Sequence, residues 1–447
     1  MKLRLIYPSA RKSQELQWWK QPIAHRFLGL GLLNLAGLCP SSTETRIIDD
    51  EYEEIDYDEK IDMVGISLLT PNANRGYEIS RNYREKGVPV VLGGAHVTAC
   101  PEEALEHADS IVTGEAEDTW PELLNDFNGG RLKNIYRSSN SSDLSNMPFA
   151  RRELVNKKKY VTVNTIQATR GCPFNCEFCS ITSLFGRKIR VRPVEEVIEE
   201  IKSLEGNYFL LTDDNIAQMR DYFKELFHRL IPLGKKWVGE ASWNIIKDEE
   251  TLELLEKSGC CGLFIGFESL EPQEGVKKIT PSQNNSLLYK EVVKKLHKRK
   301  IKVHGAFIFG FDNEDESIFD KFLKFALDSQ IDAASINILT PFPGTPLYRR
   351  LEKEGRLTER NWNNYMACNL CYELKNMSRK TFLEKFYSVK CEFFTYPRIA
   401  KRMFRSLRIS TPYEWGVMLG LNLGCKKLIK DYKPEIQSLS QDKKKGT

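Results

Sequence analysis

Apolar and polar positions alternate with two different periods along most of the chain. Short runs of branched and leucine-rich residues at positions 2–7, 45–49, 63–69, 89–92 and 110–112 read as strands covered on both faces. The stretches between them, 27–36, 74–86, 102–107 and 119–127, carry apolar residues at helical spacing. Strands alternating with helices predict a parallel, doubly wound sheet over residues 1–140. Serine, asparagine and aspartate crowd positions 138–150, and a basic run follows at 151–159, so 141–159 is expected to be a linker. The alternation then resumes. Strand patterns at 162–168, 208–211, 236–239, 262–267, 302–309 and 334–339 flank helical patterns at 193–205, 222–230, 249–257, 286–299 and 316–328. That makes six β/α units over 160–355. Beyond 355 the strands stop, and 356–447 reads as helical, with an unstructured tail at 442–447.

Composition narrows the picture little. Hydrophobic residues are 41% and charged residues 28% of 447, ordinary for a globular protein. A net charge of +5 over this length does not suggest a nucleic-acid partner. Eleven unevenly spaced cysteines do not make a secreted disulfide framework. The apolar run at 27–38 suits a buried helix better than a membrane span, and no signal peptide opens the chain. A cytoplasmic protein is expected.

The candidate chemistry centres on Thr169-Arg-Gly-Cys-Pro-Phe-Asn-Cys-Glu-Phe-Cys179, which spaces Cys172, Cys176 and Cys179 as C-x3-C-x2-C. Three crowded thiolates can hold a soft metal centre. Zinc, a disulfide or simple packing are the alternatives, although no histidine lies nearby to complete a zinc set. A [4Fe–4S] cluster normally takes four cysteines. Three would leave one iron open.

At these residues the chain resembles the radical S-adenosylmethionine (SAM) enzymes. The resemblance implies a partial (β/α)6 barrel, a [4Fe–4S] cluster on Cys172, Cys176 and Cys179, and SAM on the open iron. It also implies reductive cleavage of SAM to a 5′-deoxyadenosyl radical, with Phe178 near the adenine. The oxygen sensitivity of such a cluster agrees with a reducing compartment.

Residues 1–140 resemble the cobalamin-binding domain that precedes the radical SAM domain in one large subclass. Asp49, the segment Asp62-Met-Val-Gly-Ile-Ser67, Leu92-Gly-Gly-Ala-His96 and Gly114-Glu-Ala-Glu117 carry that resemblance. Ligands in doubly wound sheets sit beyond the carboxyl ends of the strands. Thr70, Gly93, Gly94, His96, Gly114 and Glu115 are therefore the expected cobalamin contacts, with His96 alternatively a hydrogen-bonded core residue. The Asp-x-His-x-x-Gly motif that supplies a cobalt ligand in many such domains is absent, and His25 has neither its aspartate nor its spacing. Cobalamin is expected to bind without a histidine below the cobalt.

Carboxyl ends of barrel strands carry functional groups. Thr212, Asp213 and Asp214 are expected near the SAM amino group, since an ammonium needs such acceptors, or else as caps of the next helix. The resemblance places Glu240, Ser242 and Glu268 near the ribose or carboxylate of SAM, and Gly310 against its adenine; each could also be a plain rim residue. The proline-rich segment at 340–348 is expected to shape the substrate entrance. Cys368 and Cys371 could join a second cluster or simply pack. Residues 397–407 set Arg398, Lys401, Arg402 and Arg405 against Ile399, Met403, Phe404 and Leu407, and apolar 415–423 follows. That pattern suits either a basic helix packed on the barrel or one lying on a lipid surface.

The expected activity is cobalamin-dependent radical SAM methylation of an unactivated carbon in a lipid or other small molecule. An electron donor such as flavodoxin or ferredoxin is implied. A cyclase, oxidase or rearrangement enzyme without methyl transfer is the alternative. A methylthiotransferase, or an iron–sulfur sensor without turnover, fits less well.

Overall fold

The computed structural model describes residues 1–10, 29–138, 142–273 and 285–431. They fall into two compact units. The first comprises residues 1–10, 29–138, 142–203 and 340–372; the second comprises 204–273, 285–339 and 373–431. The cysteine segment packs with the amino-terminal sheet, and the chain returns to that unit after residue 339. The expected tail at 442–447 lies outside the described residues, as does His25.

The first unit contains β1 (Lys2–Tyr7), β2 (Glu44–Asp49), β3 (Met63–Ser67), β4 (Val90–Gly93), β5 (Ser110–Thr113) and β6 (Ile135–Arg137). All neighbours run parallel, in the order β2-β1-β3-β4-β5-β6. The period of two sorts their side chains. Leu3, Leu5, Met63, Val91 and Val112 pack with Leu33, Trp120 and Leu124 on one face. Ile6, Ile48, Val64, Ile66, Leu92 and Ile111 pack with Ile79, Tyr83 and Val97 on the other. Both faces are covered, which is why the strands read as continuous apolar runs. The strand order reverses between β1 and β3, opening the crevice where ligands of such sheets bind.

Three short strands follow: β7 (Thr165–Ile166), β8 (Thr169–Arg170) and β9 (Arg190–Val191). β8 and β9 pair antiparallel, Thr169 opposite Val191 and Arg170 opposite Arg190, so the cysteine loop is pinched at its base.

In the second unit β10 (Tyr208–Leu211), β11 (Lys236–Ser242), β12 (Cys260–Glu268), β13 (Lys302–Phe309) and β14 (Ala333–Ile338) lie parallel and in sequence order. Helices connect them, among them Arg220–Leu230, Glu249–Lys257 and Ser317–Asp328. Trp237, Phe267 and Phe307 face those helices, with Trp237 stacked on Phe227 and Phe307 edge-on to Phe322. The opposite sheet face carries Glu240, Phe264, His304, Ser335 and Asn337, none of them fully buried. A parallel sheet with polar, accessible side chains on one face is built around a recess rather than a second core.

The carboxyl-terminal region is helical beyond residue 378, while 356–372 belongs to the first unit and contributes the short turn Trp362–Asn364. Helices occupy Arg379–Phe393, Tyr396–Ser406 and Pro412–Asp431. Arg402, grouped from sequence with a basic face, points inward instead. Its Nε and Nη2 donate to Asn422 Oδ1 at 3.1 and 2.8 Å, and its Nη1 donates to the Phe393 carbonyl at 3.0 Å. Burial pushes its pKa down to about 10. The helix thus buries Ile399, Arg402 and Met403 and turns Phe404 and Leu407 outward, 69% and 53% exposed.

Candidate functional site

The cysteine loop starts at Gly171, directly after β8, with φ +98°. A Cβ there would lie 2.6 Å from the Lys188 carbonyl oxygen, so only glycine lets the loop leave the pinched base. Cys172, Cys176 and Cys179 follow, none in a disulfide, with the Cys179 N–H donating to the Cys176 carbonyl at 3.1 Å. Among the described residues no three His, Cys, Asp or Glu side chains close on a single metal ion. A cubane takes each thiolate on a different iron, and an all-cysteine donor set with no histidine is the chemistry such a cluster needs.

Two ion-pair systems hold this loop. Arg170 donates from Nη1 to Glu115 at 2.8 Å and pairs through Nη2 with Glu117 at 2.5 Å. Arg190, opposite Arg170 in the β8–β9 ladder, reaches the other Glu115 oxygen at 2.6 Å. On the other side Glu177, inside the cysteine motif, accepts from Arg350 Nη2 and Nε at 2.8 and 3.1 Å, while its carbonyl accepts the Leu347 N–H at 2.9 Å. The proline-rich segment is thereby fastened to the cysteine loop; Ser183 also donates to the Gly344 carbonyl at 2.9 Å. Sequence reasoning missed Glu177 and Arg350, although Glu177 stands between two of the cysteines.

At the carboxyl edge of the first sheet, the turn Thr70–Asn72 follows β3. Asn72 accepts from the Leu69 N–H at 2.8 Å and donates to the Pro8 carbonyl at 3.0 Å, bridging the ends of β3 and β1 across the crevice. Leu69 is 58% exposed there. Gly94 has φ +100°, and a Cβ would meet the Leu68 carbonyl oxygen at 2.6 Å. Gly114 also has positive φ and donates its N–H to Thr98 Oγ1 at 2.9 Å. Two of the expected contacts sit deeper than the sequence suggested. His96 is 1% exposed, its ring nitrogens 3.3 Å from Thr70 Oγ1 and 3.4 Å from Glu103. Glu115 is enclosed by Arg170 and Arg190, because a carboxylate two residues beyond β5 meets the base of the cysteine loop. Both bear on the edge through other residues. Among the described residues this edge presents backbone, hydroxyl and exposed apolar groups with His96 enclosed, a surface that fits a large flat group.

In the second unit the expected SAM residues share one sheet edge. Thr212 and Asp213 follow β10, Glu240 and Ser242 end β11, Glu268 ends β12 and Gly310 follows β13. Asp213 is fully buried and Asp214 half-buried, Glu240 is exposed, and Glu268 has φ +63° at an irregularity in the β12–β13 register. A left-handed glutamate at a strand end stores backbone strain of about 1–3 kcal/mol, a sign of a functional edge. Ser242, 1% exposed, is held by Asn215, whose side chain bonds both its hydroxyl and its N–H at 3.0 Å. Carboxylates and hydroxyls on one edge supply the acceptors that an ammonium and a ribose need.

A further residue missed from sequence, Glu314, shapes this edge. It is 1% exposed and accepts from the Gly310 and Phe311 N–H groups at 2.8 and 3.2 Å and from Ser269 at 2.9 Å. Nothing in an acidic run at 312–316 marks which carboxylate turns inward. Burial pushes its carboxyl up to about 7, opposed by the donors from Gly310, Ser269 and Phe311. A carboxyl raised on folding favours the folded state when protonated, so its contribution is full below its unfolded pKa and is lost as pH rises through about 7. Comparing urea unfolding at pH 5.5 and pH 8, Glu314→Gln should gain roughly 2 kcal/mol relative to wild type between the two. Parallel behaviour of the two proteins would contradict this account.

A cleft of about 830 Å3 lined by Tyr77, Arg81, Arg84 and His107 opens near the amino-terminal ends of β4 and β5, at the opposite end from the ligand edge.

Comparison with known proteins settles the family. Residues 30–124 match the B12 binding domain, and residues 166–326 match the Radical SAM superfamily. The chain is 34% identical over 353 residues to the bacteriochlorophyllide d C-12(1)-methyltransferase of Chlorobaculum tepidum, covering 76% of each chain. The chain belongs to the cobalamin-dependent radical SAM enzymes. It is also 30% identical to the bacteriochlorophyllide d C-8(2)-methyltransferase of the same organism, over 86% of this chain and 88% of that one. The hopanoid C-2 methylase of Rhodopseudomonas palustris is 29% identical over 73% of this chain and 64% of its own. Among solved structures, the radical SAM methyltransferase TsrM of Kitasatospora setae, with cobalamin and [4Fe–4S] cluster bound, has the same fold. Its TM-score is 0.61 at 15% identity, over 79% of this chain and 75% of that one. This radical SAM enzyme uses a [4Fe–4S] cluster, SAM and cobalamin. No helix among its described residues is long and apolar enough to cross a membrane.

Proposed function

We propose that this radical SAM enzyme methylates an unactivated carbon of a largely apolar small molecule, such as a tetrapyrrole or an isoprenoid. The observation that carries this reading is that the loop of Cys172, Cys176 and Cys179 and the edge of Thr70, Gly93, Gly94 and Gly114 belong to one compact unit, clamped by Glu115, Arg170 and Arg190. When bound, the cluster and SAM supply a 5′-deoxyadenosyl radical, and cobalamin supplies the methyl group to be transferred. Cys172, Cys176 and Cys179 would hold the cluster beside Phe178. Thr212, Asp213 and Asp214 would accept from the amino group of SAM, Glu240, Ser242 and Glu268 would face its ribose or carboxylate, and the Gly310 turn would lie against its adenine. Along the chain, 1–140 would serve cobalamin, 160–355 SAM and 356–447 the substrate. Relatives that methylate bacteriochlorophyllide and hopanoid support methyl transfer to a ring-bearing, apolar molecule. A one-electron donor such as flavodoxin or ferredoxin would reduce the cluster. The test is anaerobic turnover with reductant, SAM and bacteriochlorophyllide or isoprenoid extracts. Methylation produces S-adenosylhomocysteine and 5′-deoxyadenosine together; 5′-deoxyadenosine alone would point to the cyclase-type alternative, for which anaerobic magnesium-protoporphyrin IX monomethyl ester cyclases are relatives.

The same reading includes peripheral contact with a lipid surface through the helix Tyr396–Ser406. That helix contains no acidic residue, and Tyr396, Phe404 and Leu407 stand 63%, 69% and 53% exposed beside Lys401 and Arg408. Apolar side chains outward between cations suit an anionic interface. Co-sedimentation with anionic vesicles should fall more than about 10-fold in Phe404→Ser/Leu407→Ser, since each side chain contributes on the order of 1.5–3 kcal/mol of apolar burial. Equal sedimentation would remove the membrane from the proposal.

A further inference from the structure

The segment Thr340–Tyr372 belongs to the first unit and reaches the crevice edge from far along the chain. Its turn Trp362–Asn364 packs against the turn Thr70–Asn72. The Trp362 indole N–H donates to both oxygens of Glu103, at 2.9 and 3.2 Å. Its ring stands edge-on to His96, centroids 5.1 Å apart, and Tyr77 lies against His96 as well, at 6.2 Å. Next to it, Asn361 Oδ1 accepts from Asn74 at 2.8 Å, just past the end of the Thr70 turn.

His96 is therefore enclosed and has four side-chain neighbours. Glu103 takes one ring nitrogen, Thr70 the other, and the Trp362 and Tyr77 rings both lie against the imidazole. The tryptophan contributes twice, orienting Glu103 by hydrogen bonding and the imidazole by contact. Thr70, the last member, sits where β3 ends beside the β1–β3 crevice. Ordinary core packing would need an apolar ring there, but it would not need the N–H aimed at a half-exposed carboxylate.

We propose that Trp362, through Glu103 and His96, is a positioning residue that sets the Thr70 edge for cobalamin. This rests on the assignment of that edge to cobalamin. Residues that orient metal ligands change affinity by about 10- to 100-fold when lost, and a loss at the lower end of that range is expected for a residue orienting an edge contact.

The test is titration of the cluster-loaded, full-length protein with hydroxocobalamin, followed by corrin absorbance, for wild type, Trp362→Phe and Glu103→Gln. Trp362→Phe keeps the ring contact and removes the N–H; Glu103→Gln keeps the shape and removes the charge. Both should weaken binding about 10-fold, while iron content and the cluster's electron paramagnetic resonance signal match wild type. Unchanged cobalamin affinity in both variants would overturn the positioning role. A loss of iron matching the loss of cobalamin would also overturn it, by showing general unfolding of the unit. Failure of wild type itself to bind cobalamin would instead refute the assignment of the edge.

Discussion

Replacing Cys172, Cys176 and Cys179 with alanine should leave a folded protein that holds almost no iron and yields no 5′-deoxyadenosine from SAM under reduction. Loss of groups that merely orient a metal ligand commonly costs 10- to 100-fold, so losing three ligands should lower cleavage by more than about 100-fold. The fold should survive because the loop has other anchors. Glu177 remains paired with Arg350, the Leu347 N–H remains on the Glu177 carbonyl, and the β8–β9 ladder still pinches the base. Iron analysis and product chromatography after anaerobic reconstitution, beside circular dichroism, provide the check. Cys368→Ala and Cys371→Ala should behave differently and keep full iron content. Cys371 Sγ donates to the Asn364 carbonyl at 3.4 Å and Cys368 Sγ faces Asn369 at 3.6 Å, contacts of packed thiols. Normal iron and cleavage in the alanine triple variant would return the motif to a structural role.

The second large effect is expected at Glu115. Glu115 and Glu117 balance Arg170 and Arg190, two carboxylates against two guanidiniums, all close to buried. Removing Glu115 strands the Arg190 guanidinium, whose Nε already lacks a hydrogen-bond partner. Breaking a buried pair from one side costs about 3–5 kcal/mol, chiefly as the penalty of an uncompensated charge. Glu115→Ala should therefore lower the urea midpoint and the yield of reconstituted cluster, since Arg170 lies two positions from Cys172. Adding Arg190→Met should recover much of the stability, because it removes the stranded charge. A Glu115→Ala protein within about 0.5 kcal/mol of wild type would mean that the clamp contributes nothing.

Most of the secondary structure could be read in advance because buried parallel strands and their covering helices impose strong periodicities. The strand expected at 302–309 is observed as Lys302–Phe309, and the helix expected at 249–257 as Glu249–Lys257. Most other helix bounds moved by a residue or two, and the helix expected at 27–36 is observed as Gly31–Gly37. The carboxyl-terminal helix was misjudged at Arg402. Composition alone assigns an arginine to the surface, yet Asn422, the Phe393 carbonyl and the Phe393 ring make an inward site for it.

The sequence by itself determined the fold class and the motifs that resemble the radical SAM and cobalamin-binding families, because cysteine spacing, strand–helix alternation and turn residues are local properties of the chain. Tertiary structure alone decided which charged and aromatic residues serve that chemistry. Glu115 meets Arg170 and Arg190, Glu177 meets Arg350, Glu314 caps the Gly310 turn, and Trp362 orients Glu103 and His96. Most of these partners are tens to hundreds of positions apart, and a carboxylate or an indole has no local period to announce its partner. Only the folded backbone brings them within hydrogen-bonding distance, where burial makes each pairing matter.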